Sequence, residues 1–163
     1  MRSSITKRLA LIAMIPATLL AMVMVASPAS AATASAMETK LQADAVTLTN
    51  QQRAAHGCKA VKADGRLTLA ARAHSGYMAR TGKFSHVGTG GSSFTYRVKL
   101  VKYPSPASEN IAYGYRSASD LVKAWMASPG HRANILNCKA ATVGVGVVVA
   151  SNGTPYFTQE FGY

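Results

Sequence analysis

Along this chain the spacing of apolar positions switches between a helical repeat and a strand repeat. Between Lys40 and His56, the positions Leu41, Ala45, Leu48 and Gln52 step by four and three, a modest stripe on one helical face that Gly57 ends. Residues 57–65, with Cys58 and the Asp64-Gly65 pair, read as a loop. From Leu67 to Thr81 the residues Leu67, Ala70, Ala71, His74, Tyr77 and Met78 share one face, and Gly82 supplies the stop. On that stripe His74 reads as a packing ring rather than a ligand.

A Gly- and Ser-rich loop over residues 88–93 precedes Phe94, Val98 and Val101, the spacing of a short helix before Pro104 and Pro106 break it. SENIAYG reads as a short extended segment. The next helix, Ser117 to Ala127, has Ser117 as N-cap, Asp120 in its first turn and an apolar face of Leu121, Val122, Ala124 and Trp125. Ser128 and Pro129 then suit the N-cap and first position of another helix, with His131 two residues on. The repeat drops to two at Val143, Val145, Val147 and Val149, which leaves Gly144, Gly146 and Val148 as a thin face that a helix can approach closely. Asn152-Gly153 signals a hairpin into a last strand over residues 154–163. Helices first and a hairpin last define an α+β domain, with no internal repeat.

The N-terminal stretch changes the picture of where this domain works. Basic Arg2, Lys7 and Arg8, an apolar run from Leu9 to Val25 and Ala29-Ser30-Ala31 form the three parts of a secretory leader over residues 1–31. A retained anchor is the competing reading, since Leu9 to Ala26 approaches spanning length; Pro16 and the small-residue exit favour cleavage. Residues 32–38 are small and polar without a period and read as a flexible stub, leaving 39–163 as one domain. The formal charge of +12 falls to about +9 without the leader, which suits an anionic setting such as a cell envelope. The basic residues are scattered and not interleaved with aromatics, so no nucleic-acid partner is expected. Cys58 and Cys138 are the only cysteines, and after export one disulfide between them is the expectation; it would close a loop of about 80 residues, worth at most ~4–5 kcal/mol.

Three polar residues stand among small or apolar neighbours in turn-rich contexts: His86 in FSHVG, Glu109 in SENIA and His131 in SPGHR. Brought together, they could hold a zinc ion with open positions, hold a water, or form a base with its orienting partner. Their separation in sequence leaves convergence open. At the start of a helix and beside Arg132, His131 is expected to be neutral.

The ordered blocks NQQRAAHG, LTLAARAHSGYMA, FSHVG, SENIAYG, AWMASPGHRANIL, VGVGVVV and YFTQEFG resemble the bacterial branch of the CAP superfamily, the cysteine-rich secretory, antigen 5 and pathogenesis-related 1 proteins also called SCP-like. The likeness covers residues 43–163. It implies a three-layer α-β-α sandwich with a central antiparallel sheet and a cleft lined by two histidines and two acids. The matching positions are His86, Glu109 and His131, with His86 and His131 as candidate zinc ligands. The second family acid follows the tryptophan in a pattern like Trp-x-x-Glu, and here that position is Ser128. Glu160 would substitute only if its strand face points inward, and a charged residue near a terminus is more often solvated. Asn110 and Asn134 are expected to hold the cleft residues in orientation, and Trp125 to belong to the core.

The leader and the resemblance to lipid- and sterol-binding members together lead us to expect a secreted, monomeric binding module whose cavity takes a lipid, sterol or cell-envelope component, non-enzymatic because no serine or cysteine nucleophile has an evident partner and the cavity lacks one acid. A metal-assisted hydrolase, with both histidines holding zinc and Glu109 activating water, is the alternative. A basic effector or antimicrobial protein acting on anionic surfaces is a further one.

Overall fold

The computed structural model describes residues 28–163, with side chains from Ser35 onward; most of the expected leader lies outside this range. Five α-helices and four strands follow in the order α1 (Pro28–Ala55), β1 (Lys62–Ala63), α2 (Gly65–Thr81), α3 (Phe94–Leu100), β2 (Pro106–Tyr113), α4 (Ala118–Ala127), α5 (Pro129–Ile135), β3 (Thr142–Val149) and β4 (Pro155–Gly162). The sheet order is β1-β3-β4-β2. The three long strands pair antiparallel, whereas the two-residue β1 lies parallel to β3.

The thin face of β3 decides how the layers pack. A Cβ placed on Gly144 or Gly146 would lie 2.1–2.3 Å from backbone atoms of Leu67, Thr68, Ala71 and Arg72, so α2 rests directly on the sheet there. Only glycine leaves that room. On the opposite face Val143, Val145 and Val147 join Phe157 and Phe161 in a core closed by Leu41 and Ala45 of α1, Leu121 and Trp125 of α4, and Ile135 of α5. Helices thus cover both faces, as the α-β-α expectation required.

Caps explain most helix boundaries. Asp64 accepts from the amides of Arg66 and Leu67 to start α2, and Gly82 closes it in the left-handed conformation, its amide bonded to Met78. Ser93 and Ser117 cap α3 and α4 in the same way. Ser128 is extended as an N-cap should be, but its side chain makes no capping bond, so Pro129 carries the start of α5 alone. The β3–β4 connection is longer than a two-residue turn: the Ala150 carbonyl accepts from the Gly153 amide, and Gly153 rather than Asn152 takes positive φ.

Helix α1 starts at Pro28, so residues 32–38 are helical where the sequence suggested a stub. Alanine at 32, 34 and 36 favours a helix even without an apolar stripe. Contacts at the end of this segment hold it: Glu38 is buried, accepting from the Val149 amide at 2.8 Å and from Arg72 at 3.3 Å, and Gln42 accepts from the Val147 amide at 3.1 Å. These side chains occupy β3 amides that β1 is too short to pair.

Two features tie the loops to this frame. Cys58 and Cys138 form the expected disulfide, with a Cα–Cα distance of 4.9 Å. Beside it in the chain, Arg53 is wholly buried and donates to the carbonyls of Lys59, Ile135, Asn137 and Ala140 at 2.8–3.0 Å. Among the described residues, no helix is long and apolar enough to cross a membrane.

Candidate functional site

The site grows from strand β2. Its alternation sends Asn110 toward α5 and Glu109 toward the opposite face, in register with Gln159 and Glu160 of β4 respectively. The Asn110 amide donates to the Gln159 side chain at 3.0 Å and to the His131 carbonyl at 3.3 Å. Asn134 donates to Asn110 at 2.7 Å and to the Glu109 carbonyl at 3.2 Å, and Gln159 donates to Thr49 of α1 at 2.8 Å. This ladder of amides holds α5, and with it His131, against β2. The orienting roles expected of Asn110 and Asn134 are visible in these bonds.

On the other face, the register places two carboxylates directly opposite each other, an arrangement that is unfavourable when both are charged. The structure separates their roles. Glu109 takes the Arg97 guanidinium on Oε2 at 2.5 Å and His86 Nδ1 on Oε1 at 2.8 Å. Burial alone would raise its pKa, but the His86 hydrogen bond and the Arg97 charge outweigh that and hold it below the usual glutamate range. Glu160, with no exposed surface, is pushed well above that range by burial first and by the Glu109 charge second. Neither Glu160 oxygen has a hydrogen bond of good geometry, but its carboxyl lies close enough to Glu109 for the protonated acid to share its hydrogen with that carboxylate, which raises its pKa further and lowers that of Glu109, so a neutral acid stands behind a charged one. The sequence reading, which held Glu160 more often solvated, is corrected here: β4 is buried along its whole length.

His86 stands outward, its side chain 56% exposed, with Nε2 turned away from the bond that fixes Nδ1. His131 is half-buried; burial first, and the nearby His86 second, lower its pKa and favour the neutral ring. The structure therefore brings His86 and Glu109 into direct contact and sets His131 near His86. Ser128 lines the same cleft as His131, together with Phe84, Tyr113, Tyr115 and Trp125, around about 520 Å³. Phe84 and Tyr113 pack with ring centres 4.8 Å apart and are about half exposed. Trp125 is core, as expected, and its indole N–H donates to the Ile111 carbonyl.

A structural or catalytic zinc takes at least three protein ligands. Among the described residues, no three His, Cys, Asp or Glu side chains are grouped to hold an ion. Glu109 is occupied by His86 and Arg97, and Ser128 stands where a further acid would. The residues present do not fit the zinc site considered from sequence.

Arg97 and the buried state of Glu160 escaped the sequence reading. An arginine among Phe94, Val98 and Val101, on the inward side of a short amphipathic helix, was the available signal for the first.

Helices on both faces of one sheet, with His86 and His131 near each other beside edge strand β2, agree with the fold the resemblance implied. Residues 46–161 match the sequence pattern of the cysteine-rich secretory protein family, CAP, and the chain belongs to it. An uncharacterized protein of Bacillus subtilis, YkwD, is 39% identical over 117 residues, covering 71% of this chain and 44% of that protein. YlbC of the same organism, described as an uncharacterized membrane protein, is 32% identical over 126 residues, 77% of this chain and 35% of its own length. This chain thus spans less than half of the curated relatives it matches. Among solved structures, an extracellular SCP-domain protein of Bacillus anthracis superposes with a TM-score of 0.75 at 26% identity, over 85% of this chain and 44% of that one. An outer surface protein of Borrelia burgdorferi shares the fold, with a TM-score of 0.64 at 20% identity over 72% of this chain and 87% of its own.

Proposed function

We propose that this protein is an exported binding module, without catalytic chemistry of its own, whose histidine cleft takes an apolar or envelope-derived ligand such as a lipid, a sterol or a peptidoglycan fragment. The leader-like residues 1–31, the basic charge and the extracellular relative from Bacillus anthracis support the location. One observation carries the reading of the site: both Glu109 oxygens are engaged by His86 and Arg97. The carboxylate is then a support that orients His86, and the cleft offers the His131 imidazole beside an aromatic wall, with the exposed His86 near it. Such a surface binds a polar group next to an apolar body. The metal-assisted hydrolase considered from sequence needs Glu109 free to activate water, and both its oxygens are engaged.

Thermal unfolding in the presence of fatty acids, sterols and muropeptides tests the proposal. A true ligand at a hundred times its Kd stabilises by about 2.7 kcal/mol, a shift of several degrees. Tyr113→Ala and His131→Ala should abolish that shift while leaving the unliganded melting point nearly unchanged. If none of the three classes moves the transition, the binding reading is wrong.

A further inference from the structure

The six acids of this chain are all engaged within the fold. Glu109 and Glu160 are buried, Glu38, Asp44 and Asp64 pair with Arg72, Lys40 and Arg66, and Asp120 accepts from Ser117 at the start of α4. The surplus of basic side chains is left to the surface, and tertiary structure gathers part of it at one place.

That place is the face over Arg53. Its guanidinium holds the carbonyls of Lys59, Asn137 and Ala140 together at 2.9–3.0 Å. The disulfide joins Cys58 to Cys138, so Lys59 and Lys139, the residues that follow the two cysteines, stand on neighbouring backbone. Lys62 is tied to the same segment by its amide, 2.9 Å from the Ala141 carbonyl. From α5, Arg132 reaches the end of α1. His56 Nδ1 donates to the Gln52 carbonyl at 2.8 Å, which leaves Nε2 to accept from Arg132 at 3.3 Å.

Lys59, Lys62, Arg132 and Lys139 are exposed, and segments 53–62 and 131–142, which build this face, contain no Asp or Glu. The next acid along the chain, Asp64, is bonded to Arg66 and to the first amides of α2. Asp44 lies about 18 Å back along α1 from His56. Four exposed cations thus stand over a buried fifth with no carboxylate among them, a concentration of one sign that attracts a polyanion.

The surroundings narrow the partner. None of the large exposed apolar side chains comes from these two segments, and Tyr163 touches the rim only through its hydroxyl, which takes the Asn137 amide at 3.4 Å. The segments therefore bring no wedge for a lipid surface. They also bring no Phe, Tyr or Trp on which a nucleic-acid base would stack. A flexible chain with one permanent charge per repeat fits, because each neutralised phosphate releases a counterion.

We infer that this face docks a linear polyol-phosphate polymer, its phosphodiesters lying against Lys59, Lys62, Arg132 and Lys139. The inference stands apart from the proposed cleft function, since none of these residues lines that cleft.

Isothermal titration of the protein with purified poly(glycerol phosphate) tests it. With four phosphates neutralised, affinity should fall about fiftyfold between about 50 and about 200 mM salt. Lys59→Gln combined with Lys139→Gln should weaken binding and reduce that fall to about sevenfold. Arg80→Gln combined with Lys83→Gln removes the same charge from exposed positions at the other end of α2, about 22 Å from its start beside β1, and should change affinity little. Equal losses in the two double variants would reveal a diffuse response to net charge and overturn the inference. So would an absence of binding at the lower salt, or tighter binding of phosphatidylglycerol vesicles or single-stranded DNA at equal phosphate concentration, because the partner would then be a membrane or a nucleic acid.

Discussion

Two arginines, Arg53 and Arg97, are buried among the described residues, and their surroundings are opposites. Arg53 meets no acid at all. Its guanidinium is spent on four backbone carbonyls from the Cys58 loop, the end of α5 and the approach to β3. Arg97 faces a charged Glu109 with Glu160 behind it, shares its remaining bonds with the His86 and Ser92 carbonyls, and keeps one donor unpaired. A buried cation whose hydrogen bonds all end on backbone is a fastener for loops. One that stands among opposed carboxylates, one exposed and one half-buried histidine and unmatched polar atoms marks the candidate functional site.

Substitutions can break this contrast. The largest effect is expected for Arg53→Met, which leaves four carbonyls without their donor and removes a clamp on three segments, a loss on the order of 4 kcal/mol in urea unfolding. That loss should be nearly the same at pH 5 and pH 8, because no acid is paired with Arg53; a strong pH dependence would show that the fastener description is wrong.

Arg97→Met should cost about 3 kcal/mol at neutral pH and much less in acid. In the wild type the depressed Glu109 pKa contributes stability that is present above the ordinary glutamate value and is lost as pH falls through the folded one. Without Arg97 that contribution shrinks, so wild type and variant should converge on acidification. Parallel pH–stability curves would place Arg97 with Arg53 as a fastener.

Glu160→Gln is the smallest and changes sign. Because the folded pKa of Glu160 is raised, the native state binds the proton more tightly than the unfolded chain, and stability falls as pH rises from the ordinary glutamate value toward the folded one. A neutral glutamine avoids this, so the variant should match wild type near pH 4 and exceed it by about 1 kcal/mol at higher pH. A variant that is less stable at every pH would mean that Glu160 holds a bond the unpaired oxygens do not reveal.

Much of the frame could be read without coordinates. The valine–glycine alternation in β3 predicted a face that only a close-packed helix could cover, and α2 covers it. Ser117, Gly82 and Pro129 marked helix ends through backbone chemistry that depends on neighbouring residues alone. His86, Glu109 and His131 stood out because a polar residue among small and apolar neighbours is costly unless it has a partner. The helical state of residues 32–38 was missed because Glu38 finds its partners on β3 and α2, far along the chain.

What the sequence determined by itself was therefore local: period, caps, the identities of the candidate site residues and the two cysteines that could pair. Which carboxylate keeps its proton was settled by tertiary structure, since charge state depends on the groups that strand register and helix packing bring within reach. Register set Glu160 opposite Glu109, and α3 delivered Arg97 to one of them alone. The same packing folded the Cys58 loop and the Cys138 turn over Arg53 and gathered basic residues that lie far apart in sequence. No spacing along the chain encodes that meeting, because the residues involved come from separate elements and are joined only through the core they enclose.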